Sequence, residues 1–344
     1  MMSKGVSRTV VSYNSMILGH CRQGNLDMAS RVFSEMLEMG LKPNVITYSV
    51  LMDGYFKRGD TEYAFDVFDR MVDENIVPSD FTYNTIINGL CKVGRTSDAQ
   101  DMLKKFVENG FIPICLTYNS IIDGYLREGS INSALTVYRE MCESGVSPNV
   151  VTYTTLINGF CKSNNIGLAM KMRNEMKNKG LKLDVTAYCA LIDGFCKQRD
   201  METASQLFSE LVEVGLSPNS VVYNSMISGY RNLRNMEAAL NLQKRMVNEG
   251  IPCDLKTYTT LIDGLLKEGK LLLASDLYSE MLAKGIMPDI ITFTVLINEG
   301  NLQEAFRLHN EMLDKGLVPD DTTYDILVNG KVNGGNPLSG VSRV

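Results

Sequence analysis

The sequence predicts an all-α fold, a right-handed superhelical solenoid of about nine 35-residue helix-turn-helix repeats. Three observations predict it. An aromatic residue returns every 35 residues, at Tyr13, Tyr48, Tyr83, Tyr118, Tyr153, Tyr188, Tyr223 and Tyr258, then at Phe293, with Tyr324 following after 31. Counting Val10 as position 1, glycine recurs at position 10 from Gly19 to Gly264, and alanine at position 20 from Ala29 to Ala274. Most repeats close on a Met-x-x-x-Gly pattern followed by proline, as in Met36 to Gly40 with Pro43 and Met281 to Gly285 with Pro288.

This step sets the boundaries of nine tandem repeats at 10–44, 45–79, 80–114, 115–149, 150–184, 185–219, 220–254, 255–289 and 290–320. Residues 1–9 match the end of a preceding, truncated repeat, Gly5 aligning with Gly40, and carry no basic or apolar leader, so a longer array upstream is expected. Residues 321–330 open a tenth repeat. The glycine-rich, apolar-poor segment 331–344 reads as a disordered tail.

Each repeat reads as two helices. The first runs from position 3 to about position 14, with Tyr48, Leu51, Met52, Tyr55 and Phe56 at helical spacing. It stops at Gly59 or the equivalent Gly24, Gly94, Gly129 and Gly269, residues suited to a left-handed C-cap. An N-cap residue follows at Asn25, Asp60, Ser130, Asn165, Asp200, Asn235 and Asn301, with Arg95 and Lys270 the exceptions. The second helix places Leu26, Ala29, Val32, Phe33 and Met36 on one apolar stripe, and its recurrent alanine allows close approach to its partner. One hairpin cannot cover its own apolar faces, so stacking of neighbours is obligatory. The ninth repeat lacks counterparts of Gly264, Leu265, Leu266 and Lys267. Four residues advance a helix by roughly 400°, about 40° past a whole turn, so the helix should shorten without breaking the stack.

Composition narrows the function classes. The net charge of −6 argues against a non-specific polyanion binder. No run of 18 apolar residues occurs, so no membrane partner is expected. His20 stands in no H-x-E pattern, and His309 with Glu311 forms one without the C-x-x-C that would complete a zinc site. Gly264 to Lys270 spells G-x-x-x-x-G-K but runs into Leu271, where a phosphate loop needs Ser or Thr, and no G-x-S-x-G is present. The expectation is therefore no metal, no cofactor and no enzymatic activity. Cys21, Cys91, Cys161 and Cys196 share position 12 with Phe56, Leu126 and Leu266, which marks a buried apolar site. Cys115, Cys142, Cys189 and Cys253 form no metal spacing, and free thiols at this density suit a reducing compartment.

Segments 150–162 (VVTYTTLINGFCK), 45–60 (VITYSVLMDGYFKRGD) and 274–289 (ASDLYSEMLAKGIMPD) resemble the pentatricopeptide repeat (PPR) family, of the plain 35-residue P type found mostly in plant organelles. The resemblance covers about 310 residues. Tetratricopeptide repeats, the nearest protein-binding relatives, keep a 34-residue step and usually a tryptophan, and this chain has none.

The resemblance implies binding of single-stranded RNA, one base per repeat, with the protein N-terminus toward the RNA 5′ end. It assigns base choice to positions 5 and 35, and a wedge between bases to position 2. An Asp at position 35 only accepts hydrogen bonds and favours G or U; an Asn there can donate to the bare ring nitrogen of A or C. A short hydroxyl at position 5 leaves space for a purine, and a longer Asn reaches a pyrimidine.

Read in order, Asn14 with Asn44 gives a pyrimidine, C favoured, and Ser49 with Ser79 gives no base. Asn84 with Ile114 gives a weak pyrimidine preference, and Asn119 with Asn149 a pyrimidine. Thr154 with Asp184 reads G, Cys189 with Asn219 weakly A, Asn224 with Asp254 U, Thr259 with Asp289 G, and Thr294 with Asp320 G. The implied target lies near 5′-YNYYGAUGG-3′. Base-stacking residues are Val11, Ile46, Phe81, Leu116, Val151, Val221 and Ile291, with Thr186 and Lys256 departing from the apolar pattern.

Position 13 is basic at Arg22, Lys57, Lys92, Arg127, Lys162, Lys197 and Lys267, with Asn232 the exception. Such a stripe suits phosphate contacts; the competing reading is that each cation satisfies its helix C-terminus. The competing reading of the whole groove is a protein-binding helical scaffold. Protein effectors recruited to a transcript are further implied partners. The resemblance implies a role in organellar RNA processing, stability or translation, in a mitochondrion or alternatively a chloroplast, with the address signal upstream of this segment.

Overall fold

The computed structural model of the chain describes residues 8–299, 302–321 and 323. Expectations for residues 1–7, for the Asn301 cap, for the remainder of the tenth repeat and for the 331–344 tail lie outside these residues. The described chain is an all-α helical repeat solenoid, and it divides into two compact units after Leu183.

The N-terminal unit holds five helical hairpins: α1 (Val10–Arg22) with α2 (Leu26–Glu38), α3 (Val45–Arg58) with α4 (Thr61–Asp73), α5 (Asp80–Lys92) with α6 (Thr96–Glu108), α7 (Cys115–Arg127) with α8 (Ile131–Glu143), and α9 (Val150–Lys162) with α10 (Ile166–Asn178). The C-terminal unit holds four: α11 (Val185–Lys197) with α12 (Met201–Glu213), α13 (Ser220–Asn232) with α14 (Met236–Asn248), α15 (Leu255–Lys267) with α16 (Leu271–Ala283), and α17 (Ile290–Glu299) with α18 (Leu302–Asp314). Within a unit, each first helix packs on its own second helix and on the first helix of the next hairpin.

The periodic residues fill the core. Tyr48, Tyr153, Tyr223, Tyr258 and Phe293 at position 4 have no accessible surface, and Ala29, Ala99, Ala134, Ala169, Ala204 and Ala239 at position 20 are equally enclosed. Burying one such aromatic is worth about 1.5–3 kcal/mol, a gain repeated once per repeat. The glycine at position 10 has a steric cause. A Cβ on Gly159 would sit 2.5 Å from Leu126 Cδ1, and one on Gly54 2.6 Å from Cys21 Sγ. Position 12 of one repeat therefore occupies the space a side chain at position 10 of the next would need. Burial accordingly pushes the thiols up, Cys21 to about 11 and Cys91 and Cys196 to about 12. All eight cysteines are free.

Two details depart from the sequence reading. The first helices begin at position 1, two residues earlier than the apolar spacing suggested, because position 35 of the preceding repeat is their N-cap. At the start of the second helices, Asn25, Asp200 and Asn235 make the expected side-chain cap bond, whereas Asp60, Ser130 and Asn165 do not. Asp60 is drawn instead to Arg58, and the Asn165 amide donates to the Ser163 carbonyl at 2.8 Å.

The first helices end as expected, with Gly24, Gly59, Gly94, Gly129 and Gly269 in the left-handed region. Where glycine is missing, Asn164, Arg199 and Arg234 take the same conformation at φ 57°, 64° and 55°. In the ninth repeat α17 spans 10 residues against 13 for α15, and it still packs between α15 and α18. The shortening has a cost: Leu271 is 58% exposed, whereas its counterparts Leu26 and Met236 are 2% and 1% exposed beneath the Gly54 and Gly264 segments.

Candidate nucleic-acid interface

The first turn of every first helix carries an unusual side chain outward. Val11, Ile46, Phe81, Leu116, Val151, Val221 and Ile291 at position 2 are all between 53% and 72% exposed. Thr186 and Lys256 occupy the same exposed place. Large apolar groups left in water in seven of the nine repeats, on one helix face, mark an interaction surface.

Cavities open between consecutive position-2 residues. In the N-terminal unit a space of about 260 Å³ lies between Phe81 and Leu116, lined by Asn84, Thr85, Asn88, Ser120 and Asp53. In the C-terminal unit a larger one of about 470 Å³ lies between Lys256 and Ile291, with Thr259, Asp289, Asp254 and Arg231 on its walls. Both place a position-5 side chain between two successive position-2 side chains.

The polar floor of each slot is a hydrogen-bonded triad that crosses the repeat boundary. Its third member, the threonine at position 3 of the following repeat, was not singled out in the sequence reading. Thr257 donates to Asn224 Oδ1 at 2.7 Å, and the Asn224 amide donates to Asp254 Oδ1 and Oδ2 at 3.2 and 3.1 Å. Asp254 Oδ1 also accepts from the Thr257 backbone N–H at 2.8 Å. The first repeat repeats this arrangement with Thr47, Asn14 and Asn44, at 2.7 Å for the hydroxyl bond and 3.3 Å for the amide bond. Thr117 likewise donates to Asn84 Oδ1 at 2.7 Å. The signal was present in the capping-box spacing Asn44 to Thr47 and Asp254 to Thr257, three residues apart.

This geometry decides what each slot displays. Capping consumes one terminal atom of the position-35 side chain, so the other is left for the groove. In Asn44 the Oδ1 accepts from the Ile46 and Thr47 N–H groups, each at 3.1 Å, which leaves the amide NH₂ as donor. In Asp254, Asp289 and Asp320 the Oδ1 takes the cap bond, and the second carboxylate oxygen is an acceptor. Burial opposes ionisation of Asp254, but bonds from Thr257 and Asn224 outweigh it and hold the carboxyl below the usual range.

Where position 5 is threonine, Thr259 meets Thr292 at 2.8 Å and Thr292 donates to Asp289 Oδ1 at 2.8 Å. The single Thr292 proton being so used, Thr259 donates to Thr292 and turns its lone pairs outward. Thr294 meets Thr323 at 2.9 Å and Thr323 donates to Asp320 Oδ1 at 2.7 Å, but here the Thr294 hydroxyl donates to the Ile290 carbonyl at 2.7 Å.

The remaining pairs are placed as follows. Ser49 has no accessible surface and bonds Thr82 at 2.9 Å, so it does not reach the groove, and Ser79 spends its one oxygen on the Thr82 N–H. Ile114 is 52% exposed and offers no hydrogen bond from its side chain. Asn119 is buried with its Oδ1 unpartnered, while Asn149 caps α9 through Thr152. Thr154 is 9% exposed, and Asp184 caps α11 by accepting from the Ala187 N–H at 2.8 Å. Cys189 contacts Asn219 Oδ1 at 3.7 Å, and the following position 3 is Val222, so this triad lacks its hydroxyl.

The position-13 cations are all exposed, but they differ in their partners. Lys57, Arg127, Lys197 and Lys267 each pair with an aspartate one turn earlier, at 2.5, 2.7, 2.6 and 2.9 Å. Arg22, Lys92 and Lys162 have Leu18, Asn88 and Asn158 four residues earlier instead and carry no ion pair among the described residues. In the seventh repeat the cation sits one residue early, as Arg231, and its guanidinium pairs with buried Asp263 at 2.6 Å.

With the repeats and their slots described, the chain is recognised as a member of the PPR repeat family, whose pattern it matches at 8–57, 50–92, 115–162, 148–197, 183–232, 218–267, 256–299 and 296–333, with a further PPR repeat at 81–111. Among solved structures it is similar to maize PPR10 at 22% identity and TM-score 0.45, covering 96% of this chain and 62% of that one. A PPR10 variant in complex with an 18-nucleotide psaJ RNA element is similar at 23% identity and TM-score 0.47, covering 96% and 52%. Yeast Rmd9p in complex with a 16-nucleotide target RNA is similar at 11% identity and TM-score 0.49, covering 94% and 84%. The chain thus spans 62% and 52% of the length of those two PPR10 chains. No curated protein matches it.

Proposed function

We propose that this protein binds single-stranded RNA with one base per repeat, each base lying between successive position-2 side chains. The observation that carries the reading is the pair of slots in which a polar position-5 group sits between two exposed position-2 residues. A base is flat, apolar on its faces and polar at its edge, and such a slot offers stacking walls with hydrogen-bonding atoms between them.

The displayed atoms support the base assignments. Asn224 keeps an amide proton and Asp254 an oxygen, a donor and an acceptor that suit the O4 or O2 and N3–H of uracil. Thr259 with Asp289 offers acceptors only, which suits the N1–H and N2–H₂ edge of guanine. The preferred sequence lies near 5′-YNYYGAUGG-3′, with its second position unread because Ser49 is enclosed. The role is that of a P-type adaptor in organellar RNA processing, stability or translation, in a mitochondrion before a chloroplast, without catalysis of its own.

Fluorescence anisotropy with labelled RNA tests this directly. The target should bind about tenfold or more tighter than its scramble at the same salt, each matched base contributing about 1–3 kcal/mol. Equal affinities would refute base reading.

A further inference from the structure

The seven position-13 cations are equivalent in sequence position but not in charge. What an RNA phosphate responds to is the net charge at its distance. A lysine held at 2.5 Å from an aspartate on its own helix presents a dipole, with the monopole cancelled. We infer that the N-terminal unit grips the RNA backbone only at every second repeat, through Arg22, Lys92 and Lys162, while Lys57 and Arg127 are silenced by Asp53 and Asp123.

The alternation follows from position 9. In the first, third and fifth repeats it is Leu18, Asn88 and Asn158, none of which bears charge; in the second and fourth it is aspartate. Position 9 lies on the groove side, since Asp53 and Asn88 line the same cavity as Phe81, Asn84 and Leu116. An aspartate there is close to any phosphate its lysine could reach, so rotating the lysine away does not recover a free cation. The C-terminal unit extends the contrast. Its position-13 lysines Lys197 and Lys267 are both paired, and Arg231 is bound to Asp263. Salt-dependent grip thus belongs to the N-terminal unit, and the aspartate-bearing slots of the C-terminal unit supply discrimination.

This inference rests on the RNA-binding reading, and the test separates the two. The affinity of the full chain for target and scrambled RNA is measured by anisotropy from low to moderate KCl, and the slope of log K against log[salt] is taken for each variant. Lys92→Ala should flatten the slope by about 0.7, the value for one phosphate on a single strand, and weaken target and scramble alike. Lys57→Ala combined with Asp53→Asn, which removes both members of a neutral pair, should leave the slope unchanged. Asp53→Asn should steepen it by about 0.7 by freeing Lys57. All three sites are at the surface, and thermal melts confirm that the variants are folded. RNA binding with equal flattening by the Lys57→Ala/Asp53→Asn double variant and by Lys92→Ala, or with no steepening by Asp53→Asn alone, would overturn the alternation and leave the RNA reading standing. Absence of RNA binding by the unaltered chain would overturn both.

Discussion

The Thr257 hydroxyl donates to the side-chain oxygen of Asn224 at 2.7 Å, across the boundary between two repeats. That bond fixes which end of the amide faces Asp254, because an Asn whose oxygen is already occupied must present its NH₂ elsewhere. A residue of the eighth repeat thereby sets the polarity of the seventh slot.

Thr257→Val keeps the shape and removes the bond. The fold should tolerate it at a cost of about 1 kcal/mol, since Val222 already stands at the same position two helices earlier in the same unit. Preference for U over the other bases at the seventh slot should fall several-fold in a base-substitution binding series, with the other slots unchanged. Undiminished U preference would refute the orienting role.

Asn224→Thr should move the seventh slot from U toward G, a relative change of about 1–3 kcal/mol, because the amide donor is replaced by a short hydroxyl that Thr257 can lock into the relay seen at Thr259 and Thr292. Competition between U- and G-bearing oligonucleotides measures it. A uniform loss on every RNA would point to damaged packing and count against the assignment.

Gly159→Ala and Gly19→Ala form a matched pair. The first would place a Cβ 2.5 Å from Leu126, while the second meets nothing within 4 Å. Thermal or urea denaturation should show the first destabilised by about 1–3 kcal/mol from overpacking, and the second neutral or slightly stabilised by helix propensity. Equal effects would remove the steric account of the position-10 glycine.

Arg234→Gly should stabilise the protein by about 0.5–1 kcal/mol, because Arg234 holds φ 55° at a site where five repeats use glycine. A lower melting temperature for the variant would show that the arginine side chain contributes more than its backbone strain costs.

The Tyr223 hydroxyl donates to Glu249 at 2.6 Å, with Arg245 adding an ion pair at 2.8 Å, and these hold the Glu249 carboxyl below its usual 4.5, Tyr223 being the larger cause. A depressed carboxyl contributes stability above the unfolded value and loses it as pH falls through the folded one. Tyr223→Phe should therefore lower the melting temperature at neutral pH, with the gap to the parent narrowing from pH 4.5 downward. A gap constant from neutral to acid pH would refute the linkage.

Much of the fold was legible because the repeat forces it. Tyr13, Gly54 and Ala29 stand at positions that return at a fixed step, and the structure shows each in a contact that tolerates little else. Apolar spacing places the helix starts two residues late because the caps Asn44 and Asp254 act through hydrogen bonds, which a hydrophobic pattern does not register. The enclosure of Ser49 was equally invisible: its sequence position matches that of Thr259, and only the depth of packing around it differs. Charge pairing at Lys57 was readable from Asp53 four residues earlier, a spacing that aligns side chains on a helix, but it becomes informative only beside Lys92, where the aspartate is missing.

Because the threonine that orients Asn224 belongs to the next repeat, the 35-residue copy is not the unit of meaning. Splicing, duplicating or deleting one copy at its aligned ends would rewrite two letters, its own and that of its upstream neighbour. Cutting within the first helix, between position 3 and position 5, would keep each three-residue reading group whole, and it is there that such arrays are most safely recombined.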